Sequence, residues 1–243
     1  MTSFVLKLIA ALSMFCDHAG LILFPRLPVL RIIGRLAFPL YAFCIAEGFR
    51  HTRNRLRYFL RVFILGALCQ IVYFVVEDDI YLGILLTFSF SIVLMALTEC
   101  VKAAFRGEES AAAEGWRRLT GKKLSVPGDK VLSLALALGY IAALFLLTSK
   151  ITVDYGFFGI LLPAVINLFD DRWMRAAAFS CGVLAVAVSY AGAFPVQFWS
   201  LLTIPAVLLY NGKPGRVRMK YFFYIFYPAH MAILYGLSML RPR

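Results

Sequence analysis

The stretch "VLSLALALGYIAALFLLT" at 131–148 decides the fold. It carries no charge, and as a helix it rises about 27 Å, close to the ~30 Å hydrocarbon thickness of a bilayer. Working outward, comparable apolar windows recur along the whole chain, about nine in all at spanning length. They fall near Ser3–Phe24, Val29–Phe49, Tyr58–Val76, Tyr81–Lys102, Val131–Thr148, Tyr155–Phe169, Met174–Tyr190, Pro195–Tyr210 and Tyr221–Leu240. Composition agrees with this reading. Hydrophobic residues make up 62% of the 243 residues and charged residues 16%, against roughly 45–50% and 25% in soluble domains. Too few polar side chains exist to cover a core, so the apolar excess faces lipid. The expected fold is an all-α polytopic helical bundle, a single integral membrane domain over 1–243.

The net charge of +12 does not mark a nucleic-acid binder, because the basic residues sit between apolar runs. Lys7, the run Arg50 to Arg61, the group Lys102 to Lys130, Arg172 with Arg175, and Lys213 to Lys220 together hold 19 of the 25 Lys and Arg, all on one side of the layout. The positive-inside rule makes that side the cytoplasm and places the amino terminus there. The opposite side receives Arg26, Arg31, Lys150, Arg241, Arg243 and the acidic Glu77-Asp78-Asp79 turn. The loop 103–130, between spans four and five, mixes Gly, Ser, Ala and both charge signs. It is expected to be cytoplasmic, with a short interfacial helix around Trp116. The first run lacks a small-x-small cleavage site and is retained as a span. Five scattered cysteines, with no CxxC pair and no zinc spacing, read as small core residues and predict no metal site. No Walker loop or GxGxxG is present, which removes ATP-driven pumping and Rossmann chemistry.

Ionisable groups at membrane depth are costly, and so are functional candidates by default. Asp17 and His18 lie in span one. Being consecutive on a helix, they point about 100° apart, so each is expected to meet a neighbouring helix. Arg35, near the outer end of span two, is the natural partner of Asp17 across a short connection. Pro39 withholds an N–H from the Arg35 carbonyl and is expected to bend the helix there. Glu47 and His51 stand i, i+4, a spacing that lets the carboxylate orient the imidazole. The Arg50–Arg57 run is either a topology determinant or an anion site for a phosphorylated cytosolic ligand. In the last span, His230 follows Pro228 by two residues and shares a face with Tyr227. Asp17-His18 as a mere interhelical clamp is the plainer alternative. "NGKPGRVRMK" at 211–220 forms a Gly/Pro turn that offers donors and cations to phosphates.

Together these blocks resemble the TraX family of membrane proteins, whose namesake acetylates the amino terminus of conjugative F-pilin. The likeness rests on Asp17-His18; on Gly34-Arg35-x-Ala37-Phe38-Pro39-Leu40-x-Ala42-Phe43; on Glu47-Gly48-Phe49-Arg50-His51-Thr52-Arg53-Asn54; on Tyr155-Gly156-Phe157-Phe158-Gly159; and on Phe226-Tyr227-Pro228-Ala229-His230. Any one block is weak, and five in order are specific. The resemblance implies a multi-pass acyltransferase of the bacterial inner (cytoplasmic) membrane that takes acetyl from acetyl-CoA. It implies His18 or His230 as base, Asp17 or Tyr227 as its orienting group, and Arg35 as a stabiliser of negative charge. Arg50, Arg53, Lys213 and Arg216, with Glu47 and His51, would contact CoA. The 103–130 loop matches no feature of the family. The acceptor stays open among a peptide amine, a sugar and a small molecule. A proton-coupled transporter is the main rival, because intramembrane Asp, Arg and His also build proton relays; against it, no halves related by sequence are found. A structural membrane subunit ranks last.

Overall fold

The structure, a computed structural model, describes residues 1–77, 81–192, 195–215 and 220–240. In chain order its elements are α1 (Ser3–Ile22), α2 (Pro28–Gly34), α3 (Ala37–His51), α4 (Arg55–Glu77), β1 (Tyr81–Leu82), α5 (Ile84–Arg106), α6 (Ala111–Thr120), α7 (Val126–Lys150), β2 (Thr152–Val153), α8 (Gly156–Leu168), α9 (Arg172–Ser189), a 3-10 helix (Pro195–Leu202), α10 (Thr203–Leu208) and α11 (Lys220–Met239). Among the described residues, five helical segments are long and apolar enough to cross a membrane: Ser3–Ile22, Pro28–His51, Arg55–Val75, Ile84–Arg106 and Val126–Lys150. Gly156–Leu168, Pro195–Leu208 and Ile225–Met239 are shorter and apolar. The chain is a polytopic all-α membrane protein.

Polar residues at the span edges set where helices start and stop. Thr2, Ser110, Ser125 and Asp171 cap α1, α6, α7 and α9 by accepting from backbone N–H groups of the first turn. Gly107 and Gly121, at φ +79° and +70°, end α5 and α6 in the left-handed region that glycine tolerates. In this way the long loop contains a helix across Trp116. Span two is broken at Arg35–Leu36, four residues before Pro39, where the missing N–H predicts the fault.

One expectation needs correction. Tyr81 does not start a helix. Tyr81–Leu82 pairs in parallel with Thr152–Val153, and Tyr81 Oη donates to Asp154 Oδ1 at 2.9 Å. The β-branched pair after α7 offers an extended edge that a helical start would have left unsatisfied.

The chain divides into two compact units. One comprises Phe49–Leu168, in which α5 packs against α4, α7 and α8. A half-buried polar cluster of this unit centres on Glu99. That carboxylate accepts from Lys102 Nζ at 3.0 Å and Asn167 Nδ2 at 3.1 Å, and Lys102 also donates to the Asn167 carbonyl at 2.7 Å. Asp129, at the start of α7, accepts from the Ser110 N–H and the Ser133 hydroxyl, each at 3.0 Å, and ties α6 down. The outward side chains are apolar, Ile71 being 61% and Phe145 59% exposed. That is a lipid-facing arrangement.

The other unit comprises Met1–Gly48 and Phe169–Arg243. In it α1 packs on α2 and α11, and the 3-10 helix packs on α2 and α9. At one end of this unit the Ser3 N–H donates to the Lys213 carbonyl at 2.9 Å, and Arg172 Nη2 donates to the Leu208 carbonyl at 2.6 Å. The amino terminus, the start of α9 and the turn at Lys213, all assigned to the cytoplasm by loop charge, therefore meet at one end of this unit.

Candidate functional site

The unit formed by Met1–Gly48 and Phe169–Arg243 holds two polar clusters. The first begins in the last turns of α1. The Asp17 carboxylate receives Arg35 Nη2 through Oδ1 and Arg31 Nη1 through Oδ2, the latter at 3.0 Å. Arg31 Nη1 also donates to the Asp17 backbone carbonyl at 3.3 Å. Arg35 Nη1 donates to Gln197 Oε1 at 3.3 Å, which draws the 3-10 helix into the cluster. Gly34 makes this approach feasible, because a Cβ there would overlap the Asp17 side chain. One carboxylate facing two guanidinium groups answers the cost of placing charge among apolar helices.

His18, one residue on, meets α11. Its Nδ1 lies 2.8 Å from His230 Nε2, with ring centroids 4.9 Å apart. His230 Nδ1 lies 2.7 Å from the Phe226 carbonyl oxygen. A carbonyl only accepts, so Nδ1 of His230 carries the hydrogen. In an uncharged pair His230 Nε2 is then the acceptor, His18 Nδ1 the donor, and His18 Nε2 the nitrogen with a free lone pair. The Phe226 ring stacks on His230 at 9° and 4.9 Å, and Tyr227 meets it edge-on at 5.9 Å. The carbonyl orients His230, and the two aromatic rings hold its plane. His230 is 3% exposed, while His18 stays partly accessible.

The second cluster is built on Glu47, which is buried. Arg175 Nη2 pairs with Oε1, and Tyr210 Oη donates to Oε2 at 2.9 Å. Phe43 lies beneath both, with the Arg175 guanidinium 5.7 Å and the Tyr210 ring 5.3 Å from its centroid.

A model of the family described as TraX protein matches residues 3–238. This chain belongs to the TraX family. Among its curated relatives, the probable fimbrial assembly protein FimC, serogroup H1, of Dichelobacter nodosus is 28% identical over 262 residues, covering 98% of this chain and 96% of that protein. Protein TraX of Escherichia coli is 26% identical over 239 residues, covering 95% and 84%. No solved structure matches.

In this TraX-family chain the structure gathers Asp17, His18, Arg35, Tyr227 and His230 in one unit, and Arg35 meets Asp17 as the short connection predicts. Arg50, His51 and Arg53 belong to the Phe49–Leu168 unit, where His51 and Arg53 are exposed. Lys213 is exposed at the end where α1 begins. Arg216 lies outside the described residues. Four residues of the clusters escaped the sequence reading: Arg31 and Arg175, which were counted only as topology charges, and Gln197 and Tyr210. Gln197 did leave a signal. Gln197, Ser200 and Thr203 recur every third residue inside an apolar span, the period of a polar stripe on a 3-10 helix.

Proposed function

We propose that this protein is a membrane acetyltransferase that moves an acetyl group from cytosolic acetyl-CoA to an acceptor amine, with His18 as general base. The observation that carries the reading is the hydrogen-bonded order from the Phe226 carbonyl through His230 to His18. That order leaves one imidazole nitrogen basic, in a partly accessible position beside a fixed ion cluster. In the reaction the acceptor nitrogen attacks the thioester carbonyl carbon, and the carbonyl electron pair moves to oxygen. His18 Nε2 takes the amine proton. Collapse of the intermediate breaks the C–S bond, and the same nitrogen returns the proton to the departing CoA thiolate. A positioned base of this kind contributes about 10²–10⁴-fold.

Helix length supports CoA as the donor. Lys213 is joined to Ser3, and His18 stands fifteen residues further along α1, about 22 Å at the helical rise. CoA carries phosphates and thioester at opposite ends of an extended arm, which suits a cation at one end of α1 and a base near the other. The name of the Dichelobacter nodosus relative, a probable fimbrial assembly protein, favours a pilin-like peptide amine as acceptor.

The test is the melting of purified, detergent-solubilised protein with acetyl-CoA, CoA or ATP. At a hundred times its dissociation constant a specific ligand adds about 2.7 kcal/mol. Stabilisation by acetyl-CoA and CoA but not ATP supports the reading. No shift at millimolar acetyl-CoA overturns it and brings the proton-coupled transporter forward.

A further inference from the structure

The 3-10 helix Pro195–Leu202 is turned inside out. Phe198, Trp199 and Leu202 are exposed, 40%, 47% and 57% respectively, whereas Gln197, Ser200 and Thr203 are buried at 1% or less. In a 3-10 helix residues i and i+3 eclipse, so Gln197 and Ser200 form one inward row about 6 Å apart along the axis, and Thr203, the first residue of α10, follows them. Thr203 satisfies itself by donating to the Ser200 carbonyl at 2.7 Å. Gln197 Nε2 and Ser200 Oγ have no hydrogen-bond partner among the described residues.

Gln197 has a fixed orientation. Its Oε1 accepts from Arg35 Nη1, and a guanidinium can only donate, so the amide cannot be flipped. Both Nε2 hydrogens therefore point away from Arg35, and buried donors are seldom left unused in native structures. A cation on Oε1 also polarises the amide and strengthens those hydrogens as donors. The guanidinium itself is committed, Nη2 to Asp17 and Nη1 to Gln197.

We infer that Gln197 Nε2 is the donor that receives the carbonyl oxygen of the acyl thioester, with Ser200 Oγ marking the continuation of the same ligand-facing row. This rests on the acetyltransferase reading and assigns a residue that the reading lacked. The donor is uncharged, buried and pre-oriented, so it needs no rearrangement when negative charge develops on the oxygen. Arg35 then acts through Gln197 as a positioning residue.

Gln70 and Gln197 are the only glutamines of the chain, so glutamine labelled with 15N on the side-chain amide gives one probe signal and one reference. The experiment uses the full-length protein in detergent with acetyl-CoA and, separately, CoA, which lacks the acetyl carbonyl. The expected result is that the Gln197 amide signal moves with acetyl-CoA, stays in place with CoA, and leaves Gln70 unchanged in both. In turnover, Gln197→Glu and Gln197→Leu should lower kcat by about 10²–10³-fold, with the KM for acetyl-CoA little altered. Acetyl-CoA that stabilises the protein but leaves the Gln197 signal unmoved overturns this assignment alone. So does an unmoved Gln197 signal accompanied by full kcat in a folded Gln197→Leu variant. Absence of any stabilisation by acetyl-CoA overturns the acetyltransferase reading and this assignment with it.

Discussion

His18 Nδ1 meets His230 Nε2 at 2.8 Å across 212 residues of sequence, which joins the first and last helices of one unit through two imidazoles. The contact assigns unequal roles. His18→Ala removes the basic nitrogen and should lower acetyl transfer by about 10²–10⁴-fold while acetyl-CoA still raises the melting temperature. His230→Gln keeps an oxygen that accepts from His18 Nδ1, so it should retain more activity than His230→Leu. Steady-state rates of the three variants decide the matter. Equal loss in both His230 variants would remove the orienting role.

The Arg175–Glu47 pair is a stability element in a part of the unit distant in sequence from His18. Arg175→Leu removes the cation facing a buried carboxylate that keeps the Tyr210 hydroxyl and should cost about 3–5 kcal/mol. The double variant Glu47→Gln with Arg175→Leu removes the stranded charge and should recover most of the loss. Denaturant titration of the single and double variants in detergent measures the coupling.

Gly34 is held to hydrogen by the Asp17 side chain, which a Cβ would overlap. Gly34→Ala forces α2 away from α1 and should destabilise by about 1–3 kcal/mol. The displacement also loosens Arg35, so transfer activity should fall together with melting temperature. Gly139 has open space around it, and Gly139→Ala serves as the control that should change neither.

Much of this was legible in the residues. Apolar runs gave the helices, Pro39 gave the break at Arg35–Leu36, and the short link between α1 and α2 gave the Asp17–Arg35 pair. These are local relationships, fixed by spacing along one or two helices. The His18–His230 contact was not legible, because no periodicity links α1 to α11. Arg175 was hidden by its position one turn into α9, where a charge reads as a loop determinant although its side chain turns inward to Glu47. Gln197 was hidden by a helix type, since a three-residue period has little weight when spans are sought at 3.6.

The exposed cations separate electrostatic capture from chemistry. Lys213 and Arg53 stand in segments that loop charge assigns to the cytoplasm, where the phosphates of CoA would arrive under the acetyltransferase proposal. An exposed cation contributes little individually, so Lys213→Gln or Arg53→Gln should each weaken acetyl-CoA binding roughly fivefold at most. Since the groups face water, the loss should shrink as salt rises, the Debye length falling from about 10 Å at 0.1 M to about 3 Å at 1 M. The rate at saturating acetyl-CoA should stay at the wild-type value, because neither Lys213 nor Arg53 is a hydrogen-bond or ion-pair partner of Asp17, His18 or His230. Binding isotherms at two salt concentrations, read beside kcat, check both halves. A variant that lowered kcat and left binding unchanged would move that cation out of donor capture and into the reacting site.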